Sequence, residues 1–193
     1  IEERCAQPEL ATKVTLMPFE RFPLDGAIIF ADLMSPVPAM GRAVRFAPGP
    51  VVDDPIRTRA DVESLRVPDQ EEIAPTVIDT LKLVKAGLNG RATLLGFSGA
   101  PWSIAAYMVQ GQGKKGFPEL RTMAYSDPAL FSTLLGTLTE VIIRYVKAQY
   151  AAGAQAIQIF DTWAGLLSEA NWRRLVRPHL LKILEAMGEA GIP

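Results

Sequence analysis

Three short apolar runs in this chain each end on groups that can do chemistry. Gly26-Ala27-Ile28-Ile29-Phe30-Ala31-Asp32-Leu33-Met34 carries a carboxylate near its end. Leu94-Leu95-Gly96-Phe97 reaches Ser98-Gly99, and Ala156-Ile157-Gln158-Ile159-Phe160 reaches Asp161-Thr162-Trp163. Phe30, Phe97 and Phe160 stand at or near those ends, so a pocket formed there has aromatic, apolar walls. A carboxylate in such a pocket is costly unless it meets N–H donors or a developing positive charge, and that is the chemistry open to Asp32. Tyr107 and Thr162 add hydroxyls. Each residue also has a plain structural use: a turn-forming aspartate, a backbone-bonding threonine, a core tyrosine. The conjunction raises the functional reading above the plain one.

The elements that must position these groups follow from the same pattern. Continuous rather than alternating apolar runs suggest parallel strands buried on both faces. The second run is expected to break at Ser98-Gly99, where glycine permits a sharp turn. It then restarts as a helix at Pro101, leaving free N–H groups that suit an anion. Helical spacing over 8–22 places Leu10, Val14, Met17 and Phe22 near one face, with Pro18 a kink or early end. Residues 35–54 read as a Pro- and Gly-rich excursion with a short hairpin around Ala47-Pro48-Gly49, and 61–68 as a turn or a single helical turn. Helices are expected over 71–88 and from the Asp127-Pro128 cap to about residue 152, its stripe including Leu130, Leu134, Tyr145 and Gln149. Gly111 to Gly116 reads as a polar connector without Walker spacing. Ser168 caps a last helix, bent at Pro178.

Strands alternating with helices imply βα units and a parallel sheet, either an open doubly wound sheet or a (β/α)8 barrel. A whole barrel takes roughly 250 residues, so the expectation is α/β and an incomplete TIM barrel with about three parallel strands. The chain starts Ile1-Glu2-Glu3-Arg4 without an initiator Met and stops at Gly191-Ile192-Pro193, the usual lead-in to a strand. Residues 1–193 therefore read as one partial barrel domain, with barrel parts missing at both ends. In a barrel, the three strand ends converge on one mouth.

Composition narrows the classes. With 193 residues, 49% hydrophobic and 21% charged, the profile is globular with a sizeable core. A net charge of −1 and no basic run argue against nucleic acid as a partner. No uninterrupted apolar run reaches the roughly eighteen residues of a membrane span, so no membrane partner is expected. The single Cys5 excludes an internal disulfide framework and fits a reducing cytoplasm. Cys5 and the lone His179 cannot by themselves make a Cys/His zinc site, and no metal is expected.

Four stretches, in one order and spanning nearly the whole chain, resemble the uroporphyrinogen decarboxylase family. They are Ile28-Ile29-Phe30-Ala31-Asp32, Arg45-Phe46-Ala47-Pro48-Gly49-Pro50, Gly96-Phe97-Ser98-Gly99-Ala100-Pro101-Trp102-Ser103 with Tyr107-Met108-Val109, and Gln158-Ile159-Phe160-Asp161-Thr162-Trp163-Ala164-Gly165. The resemblance implies a cytoplasmic homodimer that removes carbon dioxide, without a cofactor, from the four acetate side chains of uroporphyrinogen in haem and chlorophyll synthesis. It implies that Asp32 binds the central pyrrole N–H groups and stabilises the cationic intermediate. It places Tyr107 near the reacting acetate, Thr162 at a substrate carboxylate, and Ile28, Phe30, Phe97, Gly99 and Phe160 along the cleft.

Two features of the family have no counterpart here: a Gly-rich, Arg-containing first strand, and a histidine in the last third of the barrel, which His179 does not match. Arg42 and Arg45 are the nearby cations available for an anionic substrate, though a solvated loop face is their plainer use. The chain alone is expected to be inactive. Two other readings fit the same elements: a corrinoid-linked methyltransferase on the same kind of barrel, and a non-catalytic tetrapyrrole-binding paralogue.

Overall fold

A computed structural model describes residues 2–193, apart from the side chains of Glu2 and Arg4. Ile1, where the expected domain begins, lies outside the described residues. Helices α1 (Glu2–Ala6) and α2 (Pro8–Leu16) lead through a 3-10 turn, Met17–Glu20, into β1 (Gly26–Ile28). The helix read over 8–22 ends early, at Leu16, one of the two outcomes expected of Pro18, which has no N–H to offer and whose ring clashes with the preceding turn. Its buried face carries Ala11 and Thr15, whereas Met17 and Phe22 are exposed. The excursion holds an antiparallel hairpin, β2 (Val44–Phe46) and β3 (Pro50–Val52), and a short helix, α3 (Arg59–Glu63), closed by a Thr58/Asp61 capping box.

Helix α4 (Pro75–Leu88) returns the chain to β4 (Thr93–Gly99). Two helices follow before the long return helix: α5 (Pro101–Gln110) and α6 (Pro118–Ser126), the second unanticipated. Helix α7 (Pro128–Ala151) starts at the expected cap, where Asp127 Oδ1 accepts from Leu130 N at 3.0 Å. By length and composition α7 could cross a membrane, which the absence of an uninterrupted run had not suggested. More than half of that stretch is buried in this chain, as for a core helix. Strand β5 (Ala156–Phe160), α8 (Glu169–Leu175) and α9 (Arg177–Glu189) complete the described residues, the last two parting at Val176 just before Pro178.

The main sheet has the order β1-β4-β5, all parallel. Helix α4 connects its first pair and α7 its second, and both pack on the same face. That face buries Ala27, Ile29, Leu94, Ser98 and Ile157. The opposite face carries Ile28, 54% exposed, and Phe160, 36% exposed. A doubly wound sheet covers both faces with helices. Successive neighbours wound with the connecting helices α4 and α7 on one side is the (β/α)8 arrangement, of which the described residues hold three strands.

Strand β1 is shorter than its apolar run. The ladder ends when Ile29 N donates to Leu95 O, and Phe30 N turns instead to the buried Thr15 hydroxyl at 2.9 Å. This leaves Phe97 N–H and C=O, which point toward β1, without a strand partner. Gln149, fully buried on α7, supplies both: its Oε1 accepts from Phe97 N at 3.0 Å and its Nε2 donates to Phe97 O at 2.8 Å. The glutamine substitutes for the missing strand.

Candidate active site

Register decides which side chains share a face. Ile28 pairs with Leu95, Phe97 with Gln158 and Gly99 with Phe160. The structure therefore sets Ile28, Phe97, Gly99 and Phe160 on the face opposite α4 and α7, where Ile28 and Phe160 are exposed but Phe97 and Gly99 are buried. The Phe97 and Phe160 rings meet edge to face, centroids 5.6 Å apart. The expected break at Ser98-Gly99 does not occur. Strand β4 runs through Gly99, and Ala100 N continues the ladder to Phe160 O at 2.8 Å. Glycine serves close approach rather than a turn: a Cβ at position 99 would lie 2.8 Å from Ile104 Cγ1.

Beyond β1, half-buried Phe30 leads to Asp32 at the carboxyl edge of the sheet. Asp32 Oδ1 accepts from Met34 N at 2.7 Å, and the Asp32 carbonyl accepts from the Ser35 hydroxyl at 2.6 Å. Ser35 in turn meets the buried Tyr145 phenol of α7, so the turn is braced from beneath. Asp32 Oδ2 has no hydrogen-bond partner among the described residues. Burial pushes the Asp32 carboxyl above its ordinary value, partly offset by the Met34 N–H. It lines a cavity of about 340 Å3 with Cys5, Ser35, Phe46 and Thr76. Burial, and then the charge of Asp32, push the Cys5 thiol up as well.

None of Ile28, Phe30, Phe97, Gly99, Tyr107, Phe160 and Thr162 lines that cavity, so the structure does not bring Asp32 into one cleft with them. Tyr107 and Thr162 gather instead around Trp163, at the carboxyl edge of β5. The Tyr107 ring meets Trp163 at 6.1 Å and Phe117 at 5.8 Å, and Phe117 meets Trp163 at 4.7 Å. Thr162 is exposed. The segment that carries it is clipped to the first turn of α5. Trp102 Nε1 donates to Trp163 O at 3.0 Å, Trp163 N donates to Ser103 Oγ at 3.1 Å, and Ser103 Oγ donates to Asp161 Oδ1 at 2.7 Å. Asp161 Oδ2 and Trp163 Nε1 are buried without hydrogen-bond partners among the described residues. Burial raises the Asp161 carboxyl too, against the Ser103 bond.

The nearby arginines are engaged elsewhere. Arg42 donates to Ser64 Oγ at 2.9 Å and lies 3.6 Å from Asp54, while Arg45 grips Asp53 through Nε and a terminal nitrogen at 2.8–2.9 Å. His179 packs in the α7–α9 seam, its Nδ1 3.1 Å from the Thr139 hydroxyl. That hydroxyl donates to Leu135 O, so the ring nitrogen serves as donor. Among the described residues no three His, Cys, Asp or Glu side chains cluster as metal ligands do.

Comparison with known proteins adds the deciding observation. The family described as uroporphyrinogen decarboxylase (URO-D) matches residues 1–193. The chain belongs to the uroporphyrinogen decarboxylase family. Its relatives named uroporphyrinogen decarboxylase from Geobacter sp. (strain M21), Syntrophotalea carbinolica and Geobacter sulfurreducens are each 44% identical over 191 residues, covering 99% of this chain and 56% of each relative. The chain thus spans little more than half the length of these relatives. A solved methyltransferase from Methanosarcina mazei is similar in fold, with a TM-score of 0.80 and 22% identity, over 93% of this chain and 54% of that one.

Within this decarboxylase-family chain, sequence reasoning missed Asp161, Ser103 and Trp163 as a unit. Asp161 and Ser103 stand 58 positions apart, and only the parallel pairing of β4 with β5 brings them together. The one local signal was three polar or aromatic residues in a row after a strand. Cys5 beside Asp32 was likewise invisible, because α1 lies far from β1 in chain order.

Proposed function

We propose that the protein carrying this chain removes carbon dioxide from the four acetate side chains of uroporphyrinogen III, giving coproporphyrinogen III in porphyrin biosynthesis. The 193 residues are part of one barrel domain that acts as a cytoplasmic homodimer, and the chain alone is inactive. The observation that carries this reading is Asp32, a half-buried carboxylate beyond the carboxyl end of β1, one of whose oxygens has no hydrogen-bond partner among the described residues.

The chemistry suits those residues. Protonation of a pyrrole ring carbon makes the ring an electron sink. The acetate C–C bond then breaks, its electron pair flows into the ring, and carbon dioxide leaves. The exocyclic carbon takes up a proton and the ring carbon loses one, so no cofactor is needed. Asp32 accepts pyrrole N–H bonds and stabilises the cationic ring, an interaction strengthened by exclusion of water. The same cation lowers the energetic cost of the buried carboxylate. Tyr107 contacts the substrate near the reacting acetate and Thr162 holds a carboxylate. Ile28, Phe30, Phe97, Gly99 and Phe160 line the cleft. Turnover on uroporphyrinogen, run beside a methyl donor with a corrinoid, tests this reading. Release of carbon dioxide supports it. Binding of tetrapyrrole without turnover, or methyl transfer, overturns it.

A further inference from the structure

The connection from β4 to α7 carries a basic segment whose position bears on how an anionic substrate is held. Strands β4 and β5 are parallel, so the chain leaves β4 at the carboxyl edge, where Ser103 at the start of α5 bonds Asp161. Beyond α5, Gly113 passes over Tyr107: a Cβ on Gly113 would sit 3.8 Å from Tyr107 Cε1. The segment is fixed at both ends. Val52 N donates to Gly111 O at 2.6 Å, and Gln112 bridges to Val51 of the hairpin. At the other end Phe117 N donates to Lys114 O, and Glu119 N donates to Gln110 Oε1, each at 3.1 Å. Lys114 and Lys115 are thus exposed on a held turn beside the ring of Tyr107.

Arg42, Arg45, Arg59, Arg66, Lys82, Arg144 and Arg173 all pair with carboxylates. Lys114, Lys115 and Arg121 belong to the larger set of cations that pair with no carboxylate among the described residues. Lys115 and Arg121 line one open cleft with the hydroxyl-bearing Thr122, Tyr125 and Ser126. With a net charge of −1, the chain offers a polyanion no general attraction, so local cations must supply it.

We propose that Lys114, Lys115 and Arg121 form a cationic rim that holds peripheral carboxylates of the tetrapyrrole while Tyr107 contacts its ring. The inference rests on the decarboxylase reading and assigns that site its specificity for carboxyl-rich substrates. The test uses the intact protein and its Lys114→Gln/Lys115→Gln and Arg121→Gln variants. Uroporphyrin serves as the binding probe, and coproporphyrin, which lacks the acetate carboxyls, as its comparison. The double variant is expected to weaken uroporphyrin binding and raise KM roughly five- to twentyfold, with kcat within about twofold. The loss should be greater for uroporphyrin than for coproporphyrin, and the affinity should depend less on salt between about 20 and 200 mM. Unchanged Kd and unchanged salt dependence in both variants, with the parent binding well, overturn the rim alone. A parent protein that neither binds nor turns over the tetrapyrrole overturns the decarboxylase reading, and the rim with it.

Discussion

Asp161 shows at the scale of one residue what burial does to an acid that nothing fully compensates. One oxygen takes the Ser103 hydroxyl, the other is buried alone, and the carboxyl sits above its ordinary value. A folded-state pKa above the unfolded one means the folded chain holds the proton more tightly. The stability it brings is complete below the unfolded value and is lost as pH rises through the raised folded value. Asp161→Asn keeps the Ser103 acceptor and removes the charge. Melting at neutral pH should therefore rise by about 2–4 °C, with the gap narrowing toward about pH 4. An equal gap at both pH values contradicts this account. Cys5 gives a second reading of the same physics. Its raised pKa predicts iodoacetamide alkylation slower than that of a free cysteine at neutral pH, recovering as pH rises. Asp32 was legible in the sequence because the apolar run around it set it apart. The Asp161–Ser103 pair was not, since nothing local says which distant hydroxyl a carboxylate will meet.

At the scale of elements, Gln149 carries the sharpest expectation. Gln149→Leu fits an apolar helix stripe but strands two buried backbone groups of Phe97. Unfolding by urea should show a loss of about 2–4 kcal/mol, and a loss below about 1 kcal/mol would mean the ladder closes some other way. The α7 stripe was readable from periodicity, yet it placed Gln149 among packing residues; its task depends on β1 ending early. The strands, the hairpin and the Asp127 cap were likewise legible, because each rests on local spacing. Helix α6 was not. It starts after Phe117 at φ 43°, an uncommon left-handed conformation for an aromatic residue, without a side-chain cap, and Pro118 and Glu119 were its only start signals. The β4 strand outlasted its expected break because Gly99 is needed for closeness to Ile104 rather than for turning.

Over the whole molecule, the one-sided helix cover leaves Ile28 and Phe160 open on the other sheet face. Such a patch binds hydrophobic dyes. The isolated 193-residue chain should bind one, and Phe160→Ser should lower the fluorescence; no binding contradicts an open face. The barrel winding was legible from the alternation of strands and helices together with the chain length, whereas the open face could be known only from register. Stabilisation of positive charge on the ring by Asp32, as proposed, is tested by carbon dioxide release from Asp32→Asn in the intact protein. Turnover should fall by about two to three orders of magnitude, with uroporphyrin still bound. Release at the parent rate contradicts it.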